Sequence, residues 1–148
     1  MENKITIKEI TTFSEEAFQA VKDLVSQLDD QFQMLTEDDF KAIISGGHTQ
    51  LFIAKGNANN EIVGMITLVV YRIPYKYKGW LEDLVVDNKW RHQGIGKLLL
   101  ENALRAAKVK KIKTLDFTSR PMRESANRLY ESLGFQKRDT NVYRIILS

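Results

Sequence analysis

Cysteine is absent from the sequence. That excludes disulfide staples, thiolate nucleophiles and Cys-ligated zinc, and it is compatible with a reducing compartment. Histidine is scarce, His48 and His92 being the pair present, so a His-built centre has too few ligands and no metal is expected. Long apolar runs are lacking as well. The longest, residues 62–71, is broken by Gly64 and Thr67, far short of the roughly 18 to 20 residues that cross a bilayer, so no membrane partner is expected. The start, Met1-Glu2-Asn3-Lys4 followed by alternating Ile5 and Ile7, lacks the basic-then-apolar order of a signal peptide, and a cytoplasmic location is the expectation.

What is present suits one folded unit. A chain of 148 residues, 43% of them hydrophobic, buries roughly two-thirds of its unfolded surface without covalent help. Charge is unevenly spread: residues 1–60 carry 5 basic and 10 acidic side chains, residues 61–148 carry 17 and 9. The basic half suits an anionic ligand such as a phosphorylated cofactor or a nucleic acid, the acidic half a cation. Solvated faces without a partner are the plainer alternative until a motif decides.

Residues 4–8 alternate with period two and predict a strand. Ser14 with Glu15 and Glu16 opens a helix carrying Phe18, Val21, Leu24, Val25 and Leu28 on one face, and Thr36 with Asp39 caps a second, ended by Gly46-Gly47. Residues 50–54 and 61–71 predict an antiparallel hairpin. Pro74 and Gly79 bracket what reads as an aromatic, basic loop, Tyr75-Lys76-Tyr77-Lys78. Strands at 80–86 and 114–118 then alternate with helices at 94–108 and 123–133, and strands at 135–138 and 142–147 close the chain. Parallel crossovers joined to hairpins predict a mixed sheet flanked by helices.

Two stretches carry chemistry. In the first, the strand Leu84-Val85-Val86 runs through a turn into Arg91-His92-Gln93-Gly94-Ile95-Gly96-Lys97 at a helix start. Glycines let backbone N–H groups approach an anion, and the free donors of the first helical turn add positive potential. Arg91 and Lys97 oppose the dipole there and are easier to explain around an anion. A nucleotide P-loop fails, because Leu98 follows Lys97 and no glycine precedes the four residues before Gly96; a dinucleotide fingerprint lacks a small residue at Leu99, although Asp116 sits 20 residues after Gly96. Tight helix packing is the plain alternative for Gly94 and Gly96. In the second stretch, helical spacing puts Ala126, Asn127, Tyr130 and Leu133 on one face. By itself Tyr130 reads as a core tyrosine.

Together these stretches resemble the GCN5-related N-acetyltransferase (GNAT) family. Its acetyl-coenzyme A motif, Arg/Gln-x-x-Gly-x-Gly/Ala, is matched by Arg91-x-x-Gly94-x-Gly96, and its later Ala-x-x-Leu-Tyr-x-x-x-Gly-Phe by Ala126, Leu129, Tyr130, Gly134 and Phe135. The element order before residue 80 is also similar. The resemblance implies a single N-acetyltransferase domain over 1–148 of the α/β (α+β) class. Its expected form is an acyl-CoA N-acyltransferase-like fold: a mostly antiparallel central sheet flanked by helices, with two splayed parallel strands, 80–86 and 114–118. Acetyl-CoA would be the co-substrate, its pantetheine held by backbone of Leu84, Val85 and Val86 and by Asn127, its pyrophosphate by Arg91, His92, Gln93, Gly94, Ile95, Gly96 and Lys97.

A small-molecule or peptide amine would attack the thioester directly, with Glu82 as base and Tyr130 as acid. Period two puts Glu82 and Asp83 on opposite faces, and the resemblance favours Glu82. Arg123 departs from the family, where an Asn is frequent. The acceptor side would carry Asp29, Asp30, Glu37, Asp38 and Asp39, with Tyr75 and Tyr77 nearby. A homodimer is compatible with this reading and nucleic acid is not its expected partner; an acyl-CoA sensor without turnover and a nucleic-acid-binding module are the rivals.

Overall fold

The computed structural model describes residues 4–28 and 34–148, in two compact units, 1–117 and 118–148. Asp29 and Asp30, expected on the acceptor side, lie outside the described residues. In the first unit the order is β1 (Ile5–Glu9), α1 (Glu15–Ser26), α2 (Glu37–Ser45), β2 (Thr49–Gly56), β3 (Glu61–Ile73), β4 (Lys76–Val86), a 3-10 turn at Asn88–Trp90, α3 (Ile95–Val109) and β5 (Leu115–Asp116). The strands form one sheet in the order β1-β2-β3-β4-β5, antiparallel except for the parallel β4–β5 pair.

Helices α1 and α2 start where their caps say they must. Ser14 Oγ accepts from Ala17 N and Thr36 Oγ1 from Asp39 N, each at 3.1 Å, with acidic residues in both first turns. Successive residues of β3 then sort the helices onto opposite faces. Met65 joins Leu51, Ile53 and Val85 beneath Ala17, Phe18, Val21, Leu24 and Phe40 of α1 and α2. A Cβ added to its neighbour Gly64 would instead meet Leu99 and Ile95 of α3, at 3.2 and 3.5 Å. Phe40, fully buried, packs its ring 6.0 Å from Phe13 and 5.6 Å from Phe18.

Of the expected loop at residues 75–78, all but Tyr75 is strand instead. β3 runs to Ile73 and β4 begins at Lys76, leaving Pro74-Tyr75 as the connection. Cross-strand pairing explains it: Arg72 stacks 4.3 Å from the Tyr77 ring, and Lys78 lies 5.8 Å from that of Tyr71. Tyr77 and Lys78 of that segment thus pair with Arg72 and Tyr71 across a hairpin.

Further along β4 the ladder carries one extra residue. Thr67 pairs with Glu82 and Met65 with Val85, so Asp83 and Leu84 together face Ile66. This is a β-bulge, and Asp83 turns it with φ of 54°. Period two therefore fails here: Glu82 and Asp83 are consecutively exposed, while Glu82 and Val85 keep one face three residues apart. Asp83 retains exposed surface, yet desolvation raises its carboxyl above the ordinary carboxylate range.

In the second unit, α4 (Glu124–Ser132) ends on Gly134, whose φ of 97° suits glycine. Gly134 N donates to Glu131 O and Phe135 N to Tyr130 O, both at 3.0 Å, a Schellman closure. Taken by itself, this unit shows no strand over residues 135–138 and 142–147, where two are expected. Alternation supplies a strand's face, but the strand itself exists only against a neighbouring backbone, and residues 118–148 alone do not provide one.

Two outcomes follow for stability. Phe40→Ala leaves a cavity against the rings of Phe13 and Phe18 and should cost about 3–5 kcal/mol, read as a fall in melting temperature of roughly 10 °C. Asp83 behaves oppositely. With its folded value raised, the stability linked to this carboxyl is full below the unfolded value and is lost as pH rises through the folded one. Asp83→Asn, which keeps a residue tolerant of positive φ, should therefore raise the melting temperature near pH 7 and leave it unchanged near pH 3, where both side chains are neutral; calorimetric scans at the two pH values check this.

Candidate active site

The parallel β4–β5 ladder covers two pairs, Gly79 with Leu115 and Trp80 with Asp116. β4 continues beyond it through Leu81–Val86, so this half of the strand pairs with β3 and extends past the β5 ladder. Glu82 lies here, exposed, its Oε1 accepting from Trp80 Nε1 at 2.6 Å. Trp80 and Glu82 share a face, as residues two apart in a strand must. The indole fixes the carboxylate's direction and leaves its second oxygen for other work.

Leu84, Val85 and Val86 offer backbone rather than side chains. Val85 is buried in the core beneath α1, and the Val86 carbonyl accepts from Arg91 Nε at 3.2 Å. That bond folds Arg91 back over the end of β4. The chain next turns on Asp87, whose N–H donates to Val63 O at 2.8 Å and whose Oδ1 accepts from Lys89 N at 2.9 Å. The Trp90 indole lies against Gly56 at the end of β2, within 3.5 Å of where a Cβ there would stand.

The turn then tightens. His92 adopts φ of 64° and Gly94 φ of 80°, so left-handed residues alternate on the approach to α3. Such alternation aims successive N–H groups toward one side and makes an anion-binding concavity. His92 was readable as part of the motif, but its backbone was not, because histidine adopts positive φ too seldom to advertise it in a sequence as glycine does. Gly94 is the N-cap of α3 and supplies no side-chain bond, and the first turn contains no acid. Arg91, His92, Gln93 and Lys97 are exposed around this end while Ile95 is buried beneath it. Lys97 reaches Glu101 at 3.9 Å, a solvent-exposed contact of little strength. A Cβ on Gly94 would meet nothing within 4 Å, and one on Gly96 only Val86 Cγ2 at 3.9 Å. Glycine there clears space in front of the helix rather than packing the protein, which answers the close-packing alternative.

In the second unit, Tyr130 is buried and its ring meets Phe135 edge-on, 6.4 Å between centroids at 78°. The Schellman closure at Gly134 brings that phenylalanine back, which explains the spacing of Leu129-Tyr130 and Gly134-Phe135 in physical terms. Asn127 Nδ2 donates to Arg120 O at 3.1 Å and to Pro121 O at 3.5 Å, holding the loop ahead of α4 and leaving its own carbonyl oxygen as the group for a ligand. Arg123 is the N-cap position of α4 and makes no side-chain cap bond.

Of the acids expected on the acceptor side, Glu37 bonds Lys41 at 2.9 Å along α2. What the sequence did not disclose is a cavity of about 340 Å³ lined by Glu16, Gln19, Asp23, Leu24, Glu61 and Asp87. Its carboxylates come from three distant segments, and only folding assembles them.

With this geometry in hand, comparison with known proteins is specific. The acetyltransferase (GNAT) domain family matches residues 47–137. An aminoglycoside acetyltransferase from an uncultured soil metagenomic sample, solved with trehalose, superposes with a TM-score of 0.82 at 20% identity, over 96% of each chain. Glucosamine-6-phosphate N-acetyltransferase from Arabidopsis thaliana gives 0.79 at 16%, over 96% of this chain and 98% of its own. Aminoglycoside N-acetyltransferase AAC(6')-Iy in complex with CoA gives 0.79 at 16%, over 100% and 98%. Proteins of curated function give no sequence match. At such identities the solved structures establish the fold, and the domain match, spanning more than half of the chain, establishes the family: this protein is a member of the GNAT acetyltransferases.

Proposed function

We propose that the protein transfers the acetyl group of acetyl-CoA to a primary amine by direct attack on the thioester. The observation that carries this reading is the N-terminus of α3, with no acid or side-chain cap, flanked by Arg91 and Lys97 and cleared by Gly94 and Gly96. A diphosphate fits it on charge and on steric grounds. Arg91, His92, Gln93, Gly94, Ile95, Gly96 and Lys97 would hold the diphosphate, with the backbone of Leu84, Val85 and Val86 and the Asn127 side chain on pantetheine. Acetyl-CoA supplies an activated acyl carbon, so no enzyme nucleophile is required, in keeping with a cysteine-free chain.

The protein's part is proton management. An acceptor ammonium must lose a proton before its nitrogen can attack, and Glu82, oriented by Trp80, takes it directly or through water. As the C–N bond forms and the C–S bond breaks, the nitrogen gives up its second proton to solvent and the departing thiolate takes one from Tyr130, whose phenol is restored from solvent. Neighbours named for aminoglycosides and glucosamine-6-phosphate support a small-molecule amine as the acceptor, and the acidic lining of the α1 cavity would suit a cation.

Titration calorimetry with acetyl-CoA, followed by a panel of amines assayed for thiol release, tests the reading. Absence of heat at millimolar ligand overturns it, and binding without release with any amine leaves an acyl-CoA sensor. Gly96→Val is the cleaner steric probe, since Gly94→Val would add backbone strain at its positive φ. It should keep the fold and weaken binding at least about 10-fold by filling the space before the helix. Tyr130→Phe should retain acetyl-CoA affinity while kcat falls about 10²- to 10⁴-fold. Glu82→Gln should erase the acidic limb of the pH–rate profile and move the optimum upward; an unchanged profile would leave water as the base.

A further inference from the structure

The turn between β4 and α3 is anchored to the sheet through Val63 and Gly56, and a separate anchor comes from the helix layer. Gln27 ends α1, its backbone N–H closing on Leu24 O and Val25 O. Its half-buried side chain crosses to residues 60 and 61 positions later. Nε2 donates to Asp87 Oδ2 at 3.3 Å, and Oε1 accepts from Asn88 N at 3.0 Å. Asp87 Oδ1 meanwhile accepts from Lys89 N. One carboxylate and one amide thus form a closed chain of three bonds that fixes the first residues of the turn.

We propose that Gln27 is a positioning residue for the anion-binding turn, acting through Asp87 and Asn88 on the N–H groups that follow. The inference rests on the coenzyme reading above, because the ligand it serves is the diphosphate. The chemistry of the amide is what singles it out. Only a side chain with both a donor and an acceptor completes the two bonds at once. A carboxylate would face Asp87 with like charge, and a lysine would leave Asn88 N without its acceptor. Two of the three bonds are exposed and the Gln27–Asp87 bond is part-buried and long at 3.3 Å, so their loss costs the fold little. It costs binding more, because a loosened turn must be ordered when the anion arrives.

The test uses the whole chain and coenzyme A as the probe, by titration calorimetry at fixed salt with melting temperatures measured alongside. Gln27→Met keeps length and removes both bonds; Gln27→Glu adds repulsion. Each should weaken coenzyme A about 10-fold while melting within a few degrees of the parent. The double variant Gln27→Glu/Asp87→Asn exchanges donor and acceptor across the pair, restores all three bonds, and should recover affinity, whereas Gln27→Met/Asp87→Asn should not. In steady state the single variants should raise KM for acetyl-CoA and keep kcat at saturation. If the parent itself does not bind coenzyme A, the coenzyme reading falls and this inference with it. If the parent binds and Gln27→Met binds equally, or the exchanged pair fails to recover, Gln27 alone loses its role. Unfolding of both single variants at assay temperature would make the residue structural and overturn the inference as well.

Discussion

The antiparallel pairing of β3 with β4 is the constraint on which the first unit depends. Along β3, Val63, Gly64, Met65 and Ile66 are all buried, so the strand must be covered on both sides. Alternation hands Met65 to α1 and α2 and Gly64 to α3, and this fixes which helix lies on which face. Once α3 must pack against Gly64, the turn leaving β4 has to bring the chain over the sheet edge and start a helix there. Asp87 N on Val63 O and Trp90 against Gly56 accomplish that. An uncapped helix start beside the end of β4 is then a product of sheet pairing and is available to a ligand.

Electrostatics divides the helices by role. α1 and α2 place acids in their first turns and bond their N–H groups to Ser14 and Thr36, so their dipoles are satisfied within the protein. α3 has neither device and adds Lys97 to the same end. Stability alone disfavours that choice, and an anionic ligand reverses the sign.

Much of this was legible in the sequence because it rests on local rules. Caps at Ser14 and Thr36, apolar spacing along α1 and α3, and glycines at 94, 96 and 134 each have a short-range cause. The segment at 75–78 misled because Pro74 and Gly79 look like loop punctuation, while the cross-strand stacking of Arg72 on Tyr77 that makes it strand is visible only in register. The bulge escaped for the same reason: Asp83 advertises no positive φ, and the extra residue is defined by comparison with Thr67, Ile66 and Met65 opposite. Gln27 and the acidic cavity depend on contacts between segments far apart in the chain.

The bulge also gives β4 a particular relation to chain length. Removing one residue at position 83 would let Leu84 face Ile66 alone, with Glu82 still opposite Thr67 and Val85 still opposite Met65, so every core side chain would keep its face. The shortened strand would be the more regular of the two, and both helix layers would find their seats unchanged. One residue thus separates a regular β3–β4 ladder from one that carries two consecutive exposed carboxylates. Loss of a single codon here would remove that irregularity without repacking the interior, which makes the strand's length, rather than its composition, what sets the two carboxylates side by side.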